Sequence, residues 1–188
     1  MNATRFILAS ASPRRKDLLI TAGFAPEKIV AADIDESSLK GELPKDYVLR
    51  IASEKAAFVA KANPGIAVLA ADTTVACGRR ILGKPTDEKE ARRFLELLSG
   101  RRHRVYTGMA LVDAKGKLRA SVVMSVVQFK RLHVSEINWY IESREWEGKA
   151  GGYAIQGLAS RFVTRVNGSY TNIVGLPVAE VSNWLKQI

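Results

Sequence analysis

The chain has 188 residues, with 29 lysines and arginines against 19 aspartates and glutamates and a formal net charge of +10. That length suits one domain, or two small lobes around a cleft, and argues against two independently folding domains. One cysteine, Cys77, and two histidines, His103 and His133, rule out an internal disulfide and argue against a Cys/His zinc cluster. No apolar run reaches the length of a bilayer span or a signal peptide, so a cytoplasmic protein without a membrane partner is expected.

The first expected strand is Phe6 to Ala9. Ser12 and Pro13 then supply an N-cap and a first helical position for a helix to about Ala22, closed by Gly23. Lys28 to Ile34 reads as a second strand entering the acidic stretch Asp33 to Glu36. Pro44 opens a long helix with Val48, Ile51, Ala52, Lys55 and Val59 on one face, and Asn63-Pro64-Gly65 ends it. Ile66 to Val75 is nearly continuous in apolar residues, as a strand covered on both faces would be. A helix over Asp87 to Leu98 follows. Tyr106 to Val112 and Leu118 to Phe129 form a hairpin, and Ser135 caps a helix to about Ser143. Beyond the glycine-rich segment Glu147 to Gly157, Arg161 to Val166 is a strand, and Pro177 starts the terminal helix. Strand–helix alternation followed by hairpins predicts an α/β fold with a mixed sheet and flanking helices.

Several residues are out of place for a purely structural role. Arg14-Arg15-Lys16 puts three cations in the first turn of a helix, where the dipole and free amides are already positive. An anion there would reverse the balance, with Ser10, Ser12 and the amides donating to phosphate oxygens and Arg14 and Arg15 supplying charge; solvent-pointing side chains are the plainer alternative. Asp72 lies in an apolar strand and needs a partner if buried, or marks the strand's carboxyl end, where α/β sheets present ligands. Lys55 falls on its helix's apolar stripe, either snorkelling or facing a site. Asp33, Asp35 and Glu36 form an acidic loop that could hold Mg²⁺ or Mn²⁺, counterbalance Lys55 and Lys84, or simply be solvated. His103 lies in a basic cluster, touching phosphate or capping a loop. A P-loop, G-x-G-x-x-G and H-E-x-x-H are all absent.

The segments Leu8 to Arg15, Ala71-Asp72-Thr73, Gly83-Lys84-Pro85, Ser99-Gly100 through His103, Thr107-Gly108, Gly152 to Gly157 and Val174 to Pro177 resemble the Maf family of nucleoside triphosphate pyrophosphatases. The resemblance runs from Ile7 to nearly the last helix, so it treats residues 1–188 as a single Maf-like domain. It implies a mixed sheet of the Maf/inosine-triphosphatase kind in two lobes around a central cleft, and a cytoplasmic enzyme, often a homodimer. The implied reaction is metal-dependent conversion of a nucleoside triphosphate to monophosphate and pyrophosphate. By this likeness Asp72 is the proton acceptor. Arg14, Thr73 and Gln156 set specificity, Ser10, Arg14, Arg15, Lys55 and Lys84 are expected to meet phosphate, and Glu36 with Asp72 is the expected metal pair.

The likeness is to the branch acting on dTTP and UTP. The branch acting on 7-methyl-GTP has tryptophan in place of Arg14 and glutamate in place of Gln156, and both would favour a cationic base that Arg14 repels. A pyrophosphatase of 7-methyl-GTP or of a broader set of non-standard nucleotides is the alternative within the class. A nucleic-acid-binding regulator of cell division is the alternative outside it. Along the chain, aromatic residues are not interleaved with the basic groups, which argues against nucleic acid as the main partner.

Overall fold

A computed structural model describes residues 5–188. The strands are β1 (Phe6–Ala9), β2 (Lys28–Ile29), β3 (Ala67–Cys77), β4 (Arg80–Leu82), β5 (Arg102–Val112), β6 (Leu118–Phe129) and β7 (Val163–Asn167). The helices are α1 (Pro13–Thr21), α2 (Pro44–Lys61), α3 (Glu88–Leu98), α4 (Val134–Glu142), α5 (Tyr170–Val174) and α6 (Val178–Leu185). The strands make one mixed seven-stranded sheet in the order β2-β1-β3-β5-β6-β7, with β4 paired to β3. β1 is parallel to β2 and β3, whereas β3–β4 and β6–β7 are antiparallel. No helix among the described residues is long and apolar enough to cross a membrane.

The chain divides into two compact units, Met1–Thr73 with Thr107–Val123 and Gly175–Ile188, and Thr74–Tyr106 with Met124–Val174. In unit 1 the two-residue period of the strands sorts side chains into two cores. Phe6, Leu8, Leu69 and Ala71 pack with Leu19 of α1 and with Leu176, Val181, Trp184 and Leu185 of the C-terminal segment. Ile7, Ala9, Val68, Ala70 and Ala110 pack on the other face against Ala52, Ala56 and Val59 of α2. Alanine on alanine lets helix and sheet approach closely. At Gly108 a Cβ would fall on the carbonyl of Val48, so that position has no room for a side chain. Unit 2 has its own core, built from Phe94, Leu95 and Leu98 of α3, Ile137, Tyr140 and Ile141 of α4, and Val127, Phe129, Tyr153 and Phe162.

Several boundaries differ from the sequence reading. The expected strand to Ile34 stops at Ile29, because its neighbour β1 ends at Ala9 and Val30 N donating to Leu8 O is the last rung. β5 begins four residues earlier than expected, since Arg102 and Arg104 alternate with buried His103 and Val105. The helix assigned to a Ser135 cap is capped by His133, whose Nδ1 accepts from Ser135 N in a capping box with Glu136. Ser12 is the N-cap of α1, yet its hydroxyl makes no capping bond. β4 and α5 were not foreseen.

His103, expected to touch phosphate or cap a loop, is instead a core residue: it is 2% exposed, edge-on to Phe129 and Tyr153, with Nε2 2.7 Å from the Tyr153 hydroxyl. Burial lowers its pKa from the ordinary 6.5 to about 4. Folded protein therefore stays neutral there while unfolded chain takes up a proton, so this contribution is full above about pH 6.5 and is lost as pH falls toward 4. Urea unfolding at pH 7 and pH 4.5 should show wild type losing roughly 2 kcal/mol more than His103→Gln on acidification. Equal losses would mean the imidazole is not held neutral.

Candidate active site

Parallel pairing of β1 with β3 aligns Ala9 with Ala70, so Ser10, Asp72 and Thr73 lie at or beyond the carboxyl end of β1. The two-residue period then sends Asp72 to the α2 face and Thr73 to the α1 face. The cluster divides accordingly.

On the α2 face, Lys55 is buried at 8% exposure, one position from Ala56 and three from Ala52. Its ammonium donates to Asp72 Oδ1 at 2.9 Å and lies 2.9 Å from Glu36 Oε1. A lysine on an apolar stripe is thus explained by the carboxylate it neutralises, and both charges leave water together. Asp72 is 7% exposed, and its other oxygen carries no hydrogen bond among the described residues.

The loop bearing Glu36 is fixed by residues the sequence reading did not single out. Tyr47 donates its hydroxyl to Glu36 O at 2.9 Å. Arg50 forks onto both oxygens of Glu42 at 2.7 and 2.8 Å and donates to Ser37 O at 3.0 Å. Burial, with the charges of Asp72 and Glu36 behind it, pushes the Tyr47 phenol up to about 12. Tyr47 and Arg50 stand one turn apart on α2, and that spacing beside an acidic loop was the available signal.

On the α1 face, Arg15 is 9% exposed and places three of its five N–H groups on protein acceptors. Nε donates to Gly175 O at 2.9 Å, one terminal nitrogen to Ser10 Oγ at 3.0 Å, and the other to Thr73 Oγ1 at 3.2 Å. Desolvation lowers its pKa, with partial compensation from the charge of Asp72. Thr73 Oγ1 also lies 2.9 Å from Thr107 Oγ1 and 3.3 Å from Gly175 O, so its hydroxyl is saturated. Ser10 further accepts from Ser12 N at 3.2 Å. Arg14 is different: half-buried, it has a pKa lowered by desolvation and makes no ion pair or hydrogen bond among the described residues. A cation partly stripped of water beside uncapped helix amides is the arrangement that an anion would compensate.

Lys84 and Gln156 belong to unit 2, and both are exposed. Their segments are joined there: Gly151 N donates to Gly83 O at 2.9 Å, and Gly151, at φ +69, faces Val75 where a Cβ would collide. Gln156 makes no hydrogen bond among the described residues, leaving its carboxamide donor and acceptor both open. No group of three or more His, Cys, Asp or Glu among those residues is placed to hold a metal. Glu36 and Asp72 converge on the Lys55 ammonium through one oxygen each, which leaves a second oxygen on each carboxylate off the lysine.

Comparison with known proteins follows the same outline. The family described as "Maf-like protein" matches residues 5–188. A dTTP/UTP pyrophosphatase of Sphingopyxis alaskensis is 53% identical over 97% of this chain and 95% of its own length. One of Cereibacter sphaeroides is 57% identical over 95% and 92%. Among solved structures, a HAM1 protein from Coxiella burnetii shares the fold with a TM-score of 0.54 at 16% identity, covering 98% of this chain and 99% of its own. With a family model matched almost end to end and relatives more than half identical across nearly their whole length, the chain belongs to the Maf-like protein family.

Proposed function

We propose that the chain is a dTTP/UTP pyrophosphatase, releasing pyrophosphate intact by attack of water on the α-phosphorus. The observation that carries this reading is identity of 53% and 57%, over 97% and 95% of the chain, to relatives bearing that name. The chemistry just past the carboxyl end of β1 and midway along β3, where Asp72 stands instead of at the strand's carboxyl end, is consistent with it.

Lys55 holds Asp72 by one oxygen and fixes the carboxylate's plane, leaving the other to orient water and accept its proton. An ordinary aspartate, with a pKa near about 3.9, is a weak base for free water. Mg²⁺ or Mn²⁺, held by Glu36 and Asp72 together with phosphate oxygens, would supply charge neutralisation and a lower water pKa. Arg14 and the first-turn amides of α1 offset triphosphate charge, and the part of that interaction that grows toward the transition state accelerates the reaction. Arg15 acts through Ser10 and Thr73, keeping both hydroxyls and the Gly175 carbonyl in register. Lys84 adds charge to the phosphates. The Gln156 carboxamide donates to a ring carbonyl and accepts from N3–H of uracil or thymine.

Two measurements test this. Asp72→Asn should lower kcat for dTTP by about 10²- to 10⁴-fold while retaining binding of a non-hydrolysable analogue. Wild type should release pyrophosphate and dTMP in equal amounts, and orthophosphate as the first product would overturn cleavage at the α-phosphorus. Separately, kcat/KM compared across dTTP, UTP, CTP, GTP and 7-methyl-GTP should rank dTTP and UTP first, and Gln156→Glu should suppress both. A wild-type preference for 7-methyl-GTP, or an unchanged ranking after Gln156→Glu, would overturn the base assignment.

A further inference from the structure

The outward face of the unit 2 sheet takes no part in this chemistry, yet it is the more basic unit that carries it. Unit 2 holds fifteen lysines and arginines against eight acids, whereas unit 1 holds fourteen against eleven. Along β5, alternation buries His103 and Val105 and turns Arg102, Arg104 and Tyr106 the other way. Gln128 of β6 stands opposite Arg165 of β7, and Val126 opposite Asn167. Arg102 Nε donates to Gln128 Oε1 at 3.2 Å. Arg102, Gln128 and Arg165 therefore form one row across three strands, and Arg104, Val126 and Asn167 line the same depression of ≈ 300 Å³.

No acid lines this depression. Arg104 and Arg165 are exposed and make no ion pair or hydrogen bond among the described residues. Strand geometry separates Arg102 from Arg104 by about 7 Å and from Arg165 by about 10 Å. That is too open for three cations to grip one small phosphate, and it suits successive phosphates along an extended chain. Half-buried Tyr106 follows Arg104 by two residues on the same side of β5, next along the strand from the depression, and stacking surface next to backbone charge is the combination that holds single strands. An open sheet face cannot enter a duplex groove as a helix or two-stranded ribbon does, so the single strand is favoured. Folding thus adds Arg165, from β7, to a basic and aromatic alternation already present along β5.

We propose that this face binds the backbone of single-stranded nucleic acid, with Arg102, Arg104 and Arg165 on consecutive phosphates and Tyr106 stacked on a base. The test is fluorescence anisotropy of the full chain with a labelled 5′-hydroxyl oligodeoxyadenylate of about 15 nucleotides, a length that leaves room for the three phosphate contacts. Three contacts predict a slope of log K against log salt of about −2. The double variant Arg104→Ala/Arg165→Ala, exposed at both positions, should lose affinity at least about tenfold and flatten the slope to about −0.7, while Tm and kcat/KM for dTTP stay unchanged. Absence of binding at low salt, or binding indifferent to the double variant, would overturn the proposal. So would displacement by excess pyrophosphate, which would place the strand in the nucleotide site. Equal competition by polyglutamate, or tighter binding of a duplex, would also sink it. None of these outcomes depends on whether dTTP is hydrolysed.

Discussion

A strand covered on both faces tolerates a polar side chain only where a partner waits on the side to which that residue points. β3 meets this condition twice in succession. Asp72 faces α2 and finds Lys55, while Thr73 faces α1 and finds Arg15 and Thr107. One backbone step thereby ties the carboxylate to one helix and a polar network to the other. The close approach of α2, enforced by Ala52, Ala56 and the missing side chain at Gly108, brings the lysine within reach. The buried charges are arranged in compensating order around the middle of this single strand, with Arg14 as a cation that no group among the described residues answers.

Part of this was legible in the sequence because it rests on local rules. An aspartate in an apolar run and a lysine on an apolar stripe are anomalies that can be seen without coordinates, and the Pro13 and Pro44 helix starts follow from local backbone preference. Other features were not legible because they depend on partners far along the chain. Arg15 reads as a phosphate ligand until the Gly175 carbonyl, 160 residues away in sequence, is seen to take its Nε. The length of β2 is set by where β1 ends, which no property of residues 30 to 34 reveals. The basic run Arg101 to Arg104 looks like a loop because its charges mask the alternation, and only burial of His103 and Val105 shows it to be strand.

Arg14 and Arg15 show how adjacent, chemically identical residues come to different uses. Helical geometry rotates successive side chains by about 100°, enough to turn one guanidinium inward onto three protein oxygens and leave its neighbour half-exposed without any among the described residues. The inner arginine is confined by fork geometry that a lysine could not reproduce. The outer one keeps its hydrogen-bonding capacity, so preorganisation and recognition are divided between two residues that a motif search would count as equivalent.

Unit 1 is assembled from three stretches of chain, and the last supplies Leu176, Val181, Trp184 and Leu185 to the core beneath β1 and β3. During synthesis the ribosome delivers these residues long after the strands they cover. The sheet's α1 face must then stay unsealed until the final turns of α6 have cleared the exit tunnel, whereas every residue of unit 2 is already available by Val174. Vectorial synthesis thus makes the face of β1 and β3 that bears Leu8, Leu69 and Ala71 late to gain its covering, and a stalled or clipped chain would present that apolar face to chaperones or to aggregation.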